Sequence, residues 1–101
     1  MATIYKNFTG VVTNQDLITK GAGISGRIEK ILISNNNSSH KVNVTVNLFD
    51  GGSNTYTIVK LIEIPIGSAL ILNDNLSFDS EAFSLRITTA GTSPDITVII
   101  K

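Results

Sequence analysis

Lys41-Val42-Asn43-Val44-Thr45-Val46-Asn47-Leu48-Phe49 decides the fold class of this chain. Apolar and polar side chains alternate at nearly every step. Successive side chains of a strand point to opposite faces, so the stretch reads as a strand with one dry face and one wet face. It ends at Asp50-Gly51-Gly52-Ser53, a hairpin signal. Upstream, Arg27-Ile28-Glu29-Lys30-Ile31-Leu32-Ile33-Ser34 starts alternating and turns apolar on both faces at Ile31-Leu32-Ile33, as a covered strand does. Between the two lies Asn35-Asn36-Asn37-Ser38-Ser39-His40, rich in residues whose short side chains bond to nearby backbone and favour turns.

The rest of the chain repeats this grammar. Thr55-Tyr56-Thr57-Ile58-Val59-Lys60-Leu61-Ile62-Glu63-Ile64 is long enough for one bent strand or two short ones, and Pro65 stops it because proline cannot donate to a ladder. Ala69-Leu70-Ile71-Leu72, Leu76-Ser77-Phe78, Glu81-Ala82-Phe83-Ser84-Leu85-Arg86-Ile87-Thr88 and Asp95-Ile96-Thr97-Val98-Ile99-Ile100-Lys101 follow, with Asn73-Asp74-Asn75 and Ala90-Gly91-Thr92-Ser93-Pro94 as connections. Asp16-Leu17-Ile18-Thr19 is a further strand candidate. Ile4-Tyr5-Lys6-Asn7-Phe8 is a short first strand or part of an extended N-terminal arm over residues 1–15. No segment of comparable clarity has helical spacing. About eight strands at spacings of about 8–12 residues predict an all-β domain, a single antiparallel β-sandwich of jelly-roll or Ig-like type spanning residues 1–101. The expected core is Ile28, Leu32, Val42, Val44, Val46, Leu48, Ile58, Ile62, Leu70, Leu72, Phe83, Leu85, Ile87, Ile96 and Val98.

A chain of 101 residues makes one domain. At this size about 60–70% of the unfolded surface is buried, so oligomerisation is a natural source of further stability. Hydrophobic residues form 42% of the chain and charged residues only 16%, which argues against disorder and leaves a surface of Ser, Thr and Asn. Eight basic side chains balance eight acidic ones with no basic run, which disfavours nucleic acid as a partner. Zero net charge gives little electrostatic protection against association. No apolar run approaches the roughly 20 residues of a membrane span, and the first residues lack the apolar core of a signal peptide, so a soluble, cytoplasmically made protein is expected.

Catalytic and metal chemistry find little footing. The absence of cysteine removes disulfides and thiolate sites. Gly21-Ala22-Gly23-Ile24-Ser25-Gly26 matches G-x-G-x-x-G, but a dinucleotide site needs a helix after it, and Arg27 to Ser34 reads as a strand. His40, the one histidine, sits among turn residues without a nucleophile elbow. Asp74, Asp79 and Glu81 are close in sequence, yet their spacing does not resemble a calcium loop. Sequons such as Asn37-Ser38-Ser39 and Asn43-Val44-Thr45 reflect an Asn/Ser/Thr-rich chain without a secretory signal. No catalytic residue, cofactor or metal is therefore expected.

Contact residues are more promising. A simple sandwich wets its outer faces, so apolar side chains on both faces of a strand suggest cover by another subunit. Ile99 lies opposite Ile96, Val98 and Ile100 in parity, and Ile71 stands likewise between Leu70 and Leu72. Tyr5 and Phe8 on an N-terminal arm are further candidate anchors, since aromatic side chains are common at interfaces.

One ordered set of motifs supports a family resemblance over roughly residues 27–100. It comprises Lys30-Ile31-Leu32-Ile33-Ser34-Asn35, Val42-Asn43-Val44-Thr45-Val46, Ile64-Pro65-Ile66-Gly67-Ser68-Ala69-Leu70-Ile71-Leu72, Leu76-Ser77-Phe78 and Asp95-Ile96-Thr97-Val98. In that order the chain resembles small virion structural proteins of tailed phages, of the marine and cyanobacterial phage type. The resemblance implies a β-sandwich on the virion, most commonly a capsid decoration or cement protein. Its partners would be the major capsid protein or other virion proteins, and homo-oligomers, trimers above all, are the expected state. A neck, collar or tail position would leave similar traces, and the resemblance brings no catalytic residue. A carbohydrate-binding module is a more distant alternative, weakened by the absence of Trp and the presence of only Tyr5 and Tyr56. A hydrolase has the least support.

Overall fold

The computed structural model describes residues 3–73 and 75–101. The strands are β1 (Ile4–Thr9), β2 (Gln15–Ile18), β3 (Ser25–Ile28), β4 (Ile31–Asn35), β5 (Val42–Phe49), β6 (Thr55–Ile64), β7 (Ala69–Leu72), β8 (Leu76–Asp79), β9 (Ser84–Gly91) and β10 (Asp95–Ile100). Sheet A has the order β1-β10-β4-β7, sheet B the order β2-β9-β5-β6, and β3 pairs β8 in a separate ribbon. All pairings are antiparallel. The all-β antiparallel class is therefore as the sequence implies, but its assembly is not a plain eight-stranded sandwich. Two further strands form a third, two-stranded sheet.

Setting that ribbon aside and renumbering the other strands along the chain, sheet A runs 1-8-3-6 and sheet B 2-7-4-5. That is the order of a jelly roll, in which the chain crosses repeatedly between two sheets. In an Ig sandwich several consecutive strands pair within one sheet. Here β5 and β6 are the only consecutive strands that pair, among the described residues.

The core follows from alternation. Val42, Val44 and Val46 point inward from β5 and are essentially inaccessible, as are Leu85 and Ile87 of β9. Sheet A contributes Ile31, Ile33, Ile96, Val98 and Ile100 to the same cluster. Each such aliphatic side chain stabilises the fold by about 1.5–3 kcal/mol. Two expected core residues are misplaced. Leu32 is only half-buried, because its neighbours Ile31 and Ile33 face inward in its stead, and Ile62 on edge strand β6 is exposed. Leu17, Ile18, Ile31, Ile33, Ile64, Phe78 and Ile100 are buried beyond those expected.

Asn35 ties one end of the jelly roll together. It is 3% exposed. Its Nδ2 donates to the carbonyls of His40 at 3.0 Å, Ile64 at 3.1 Å and Pro65 at 3.3 Å. Its Oδ1 accepts from the Asn37 amide at 3.0 Å, and its own amide donates to Ser68 O at 2.9 Å. The Asn36 amide donates to Asp95 O at 2.8 Å. The Ile-Leu-Ile-Ser-Asn, Ile-Pro-Ile-Gly-Ser and Asp-Ile-Thr-Val motifs thus meet in one hydrogen-bonded knot.

β6 carries two irregularities against β5. Val46 pairs Val59 while Asn47 pairs Thr57, which leaves Ile58 extra, and one more residue is inserted between Val59 and Ile62. At the second bulge Leu61 takes φ 52° and donates its amide to Thr45 Oγ1 at 3.0 Å. Bulges of this kind twist an edge strand and blunt its free hydrogen-bonding groups.

Candidate functional site

The outer face of sheet A carries an apolar row that crosses all four strands. Tyr5 of β1 pairs Ile99 of β10, Ile99 pairs Leu32 of β4, and Leu32 pairs Ile71 of β7. Residues in direct register share a face with neighbouring Cβ atoms about 4.5–5.5 Å apart, so the four side chains form a continuous line. Four strands at about 4.8 Å spacing make that line roughly 14 Å long between its end strands. Tyr5 is 70% exposed and Ile71 49%, while Ile99 and Leu32 are half-buried between them.

Uncharged groups flank this row on one side. The next row on the same face is Asn7, Thr97, Ser34 and Ala69. Thr97 Oγ1 donates to Asn7 Oδ1 at 3.0 Å and accepts from Asn36 Nδ2 at 2.8 Å, so the Thr97 hydroxyl is satisfied in both roles. Charge is confined to the ends of the face. Lys30 and Lys101, joined by backbone hydrogen bonds, continue the outward parity past the apolar row, and Asp95 lies at the opposite end. A dry line with neutral groups on one side and two lysines on the other can bury against protein while the long lysine stems keep their ammonium groups in water.

Tyr5, Ile71 and Ile99, three of the contact residues expected from sequence, lie side by side in this row. The fourth, Phe8, does not. It pairs Ile96 on the inward parity of β1 and packs half-buried against the core. Ile4 to Thr9 form the sheet-edge strand β1, so this part of the expected arm is docked strand, while Met1 and Ala2 lie outside the described residues. Leu32 completes the row and was not among the expected contacts. Its signal was the run Ile31-Leu32-Ile33, which says that one residue must face outward but not which.

The outer face of sheet B is different. Arg86 Nε donates to Asp16 Oδ1 at 3.0 Å, and the guanidinium lies 4.0 Å from the centre of the Phe49 ring. Beside them Asn47 is 6% exposed, and its Oδ1 is buried without a hydrogen-bond partner. At the hairpin after β5, the Asp50 carboxylate accepts from the amides of Gly52 at 2.8 Å and Asn54 at 3.2 Å. These bonds hold its pKa below the ordinary aspartate value, the Gly52 bond most strongly. Exposed Lys41 and Glu63 pair at 2.8 Å, and the Glu63 hydrogen bond raises the lysine pKa.

The remaining sequence candidates do not converge. The glycine-rich stretch runs into β3 rather than a helix. His40 is exposed in its turn. Asp79 Oδ1 accepts from the Glu81 amide at 3.0 Å in a tight turn, and Asp74 lies outside the described residues. Among the described residues no group of three or more His, Cys, Asp or Glu gathers as metal ligands would. Tyr56 stands at 89° to the Phe83 ring with centroids 5.8 Å apart, and Tyr5 lies on the other sheet, so the two tyrosines share no flat platform.

No protein-family model matches the chain, and no curated protein does. Among solved structures it is similar to the crystal structure of a Yersinia pseudotuberculosis-derived mitogen. The TM-score is 0.55 at 13% identity, covering 99% of this chain and 86% of that one. At that identity the likeness concerns the fold, and it agrees with the antiparallel all-β architecture.

Proposed function

We propose that this chain is a non-enzymatic structural protein of a phage virion, a capsid decoration or cement protein that acts through the outer face of sheet A. The observation that carries the mode of action is the in-register row Tyr5–Ile99–Leu32–Ile71. The virion setting is supported by the resemblance of the motif series, with a fold-level analogy beside it, since jelly rolls recur in viral capsid domains. Its partners are further copies of itself, arranged as trimers, and the major capsid protein. Zero net charge favours such self-contact by removing long-range repulsion between copies. A stable interface buries about 800 Å² per partner, more than a single row of four side chains supplies. One contact is therefore weak, and attachment gains strength from several contacts made at once.

Quantitative mass spectrometry of purified particles tests the setting. Copy number on the scale of the capsid lattice is expected. Copy number on the scale of a single ring would move the protein to the neck or tail. Its absence from particles would overturn the virion reading.

A further inference from the structure

A second apolar feature lies away from the outer face of sheet A, where the three sheets meet. It is a cleft of about 150 Å³ lined by Ile28, Ile31, Ile58, Val59, Leu72 and Leu76. Three pairs build it. Ile28 and Leu76 are register partners across the β3–β8 ribbon, and Ile31 and Leu72 are partners across β4–β7. Ile58 and Val59 are neighbours at the first bulge of β6, where the extra residue brings two successive side chains to one cleft. Ile28 and Ile31 are each 2% exposed and form the floor, while the other four are half-buried around the opening.

We propose that this cleft is a binding site for one small uncharged hydrocarbon group, an aromatic ring or a branched alkyl end, carried by a free small molecule. Three observations select that class. Among the described residues every lining side chain is aliphatic and the lining is mostly apolar, so no side chain there would repay a polar or charged ligand for its lost water. The volume is that of a single ring, since an engineered aliphatic and aromatic cavity of about 150 Å³ in another protein stays dry and takes up benzene. The flanking edges do not invite a polypeptide: β7 is four residues long, and β6 is interrupted by two bulges. The inference is independent of the outer row and of the virion setting.

Toluene titration followed by methyl and amide NMR tests it. Wild type is expected to show saturable shifts at the six lining residues and a raised melting temperature. Ile58→Phe places a ring in the cleft and should weaken toluene binding at least about tenfold, the scale of one well-packed group. Leu76→Phe fills the cleft from the ribbon side and serves if the first variant does not fold. A third arm uses the blocked peptide acetyl-Ala-Phe-Ala-amide, which should bind no more tightly than toluene. Absent or unsaturable shifts in wild type, or equal binding by the filled variants, would overturn the site. Tighter binding of the peptide with shifts along β6 and β7 amides would overturn the small-molecule assignment.

Discussion

Asn35 offers the sharpest test of how the motifs hold the fold. Its Nδ2 has two hydrogens and faces three carbonyls, those of His40 and Ile64 at 3.0 and 3.1 Å being the better two. With the Asn37 amide on Oδ1, truncation to alanine removes three sound hydrogen bonds. At about 1 kcal/mol net per bond, Asn35→Ala should cost about 3 kcal/mol, and somewhat more because partners are left buried and unpaired. A domain of this size has about 5–15 kcal/mol in all, so the loss is large. At about 4–8 °C per kcal/mol, the melting temperature should fall by roughly 12–24 °C. Asn35→Asp is nearly isosteric but turns the donor into an acceptor facing carbonyl oxygens. At neutral pH it should be less stable than the alanine variant. Burial among carbonyls raises the folded-state pKa of that new carboxyl above its unfolded value, so folded protein binds the proton more readily. Stability of the aspartate variant should therefore rise as pH falls through the raised pKa towards the ordinary aspartate value. Urea midpoints at neutral and mildly acid pH measure all three proteins. An alanine variant within about 1 kcal/mol of wild type, or an aspartate variant no less stable than it, would refute the knot as the element joining β4 to the ends of β5 and β6.

Other substitutions probe the same packing. Val44→Asp buries a charge at a fully inaccessible site and should cost about 4 kcal/mol or abolish folding, while Asn43→Asp on the half-buried outer face should cost less than about 1 kcal/mol; similar melting temperatures would sink the register of β5. Asn47→Leu removes the unpartnered buried oxygen while keeping the branched side-chain shape, and should stabilise by about 1 kcal/mol or more in urea titration; a loss of that size would mean that Asn47 has a partner. The depressed Asp50 pKa places its contribution above the ordinary aspartate value, and that contribution is lost as pH falls through the folded pKa; amide protection relative to the intrinsic exchange rate at Gly52 and Asn54 should fall over that acid window in wild type and not in Asp50→Asn.

Local pattern reached the strands but not always their parity. The valine alternation of β5 gave both its faces, and the closing strand gave Ile96 and Val98 as core. Parity failed where the chain slips by one residue. Ile28 and Ile31 are both buried because the segment breaks at Glu29-Lys30, where both amides bond to Lys101 O, and a single unbroken strand would put Ile28 and Leu32 inside together. The bulges of β6 likewise shift its register and leave Ile62 accessible at the edge. The contact row was legible only in pieces. Ile99 and Ile71 betrayed themselves by apolar side chains on the wet parity. Their alignment with Tyr5 and Leu32 depends on β1 pairing β10 and β10 pairing β4, contacts between distant parts of the chain that no local window contains. Phe8 was misread for the same reason, since only the pairing with Ile96 fixes which way β1 faces.

The proposed mode of action requires protein to cover the row on sheet A. Sedimentation equilibrium of wild type beside Ile99→Asp tests it most directly, with melting temperature as a control for folding. Wild type should associate with rising concentration, and Ile99→Asp should remain a folded monomer over the same range. A wild-type protein that stays monomeric throughout, or an Ile99→Asp variant that associates equally well, would rule out self-contact through this row.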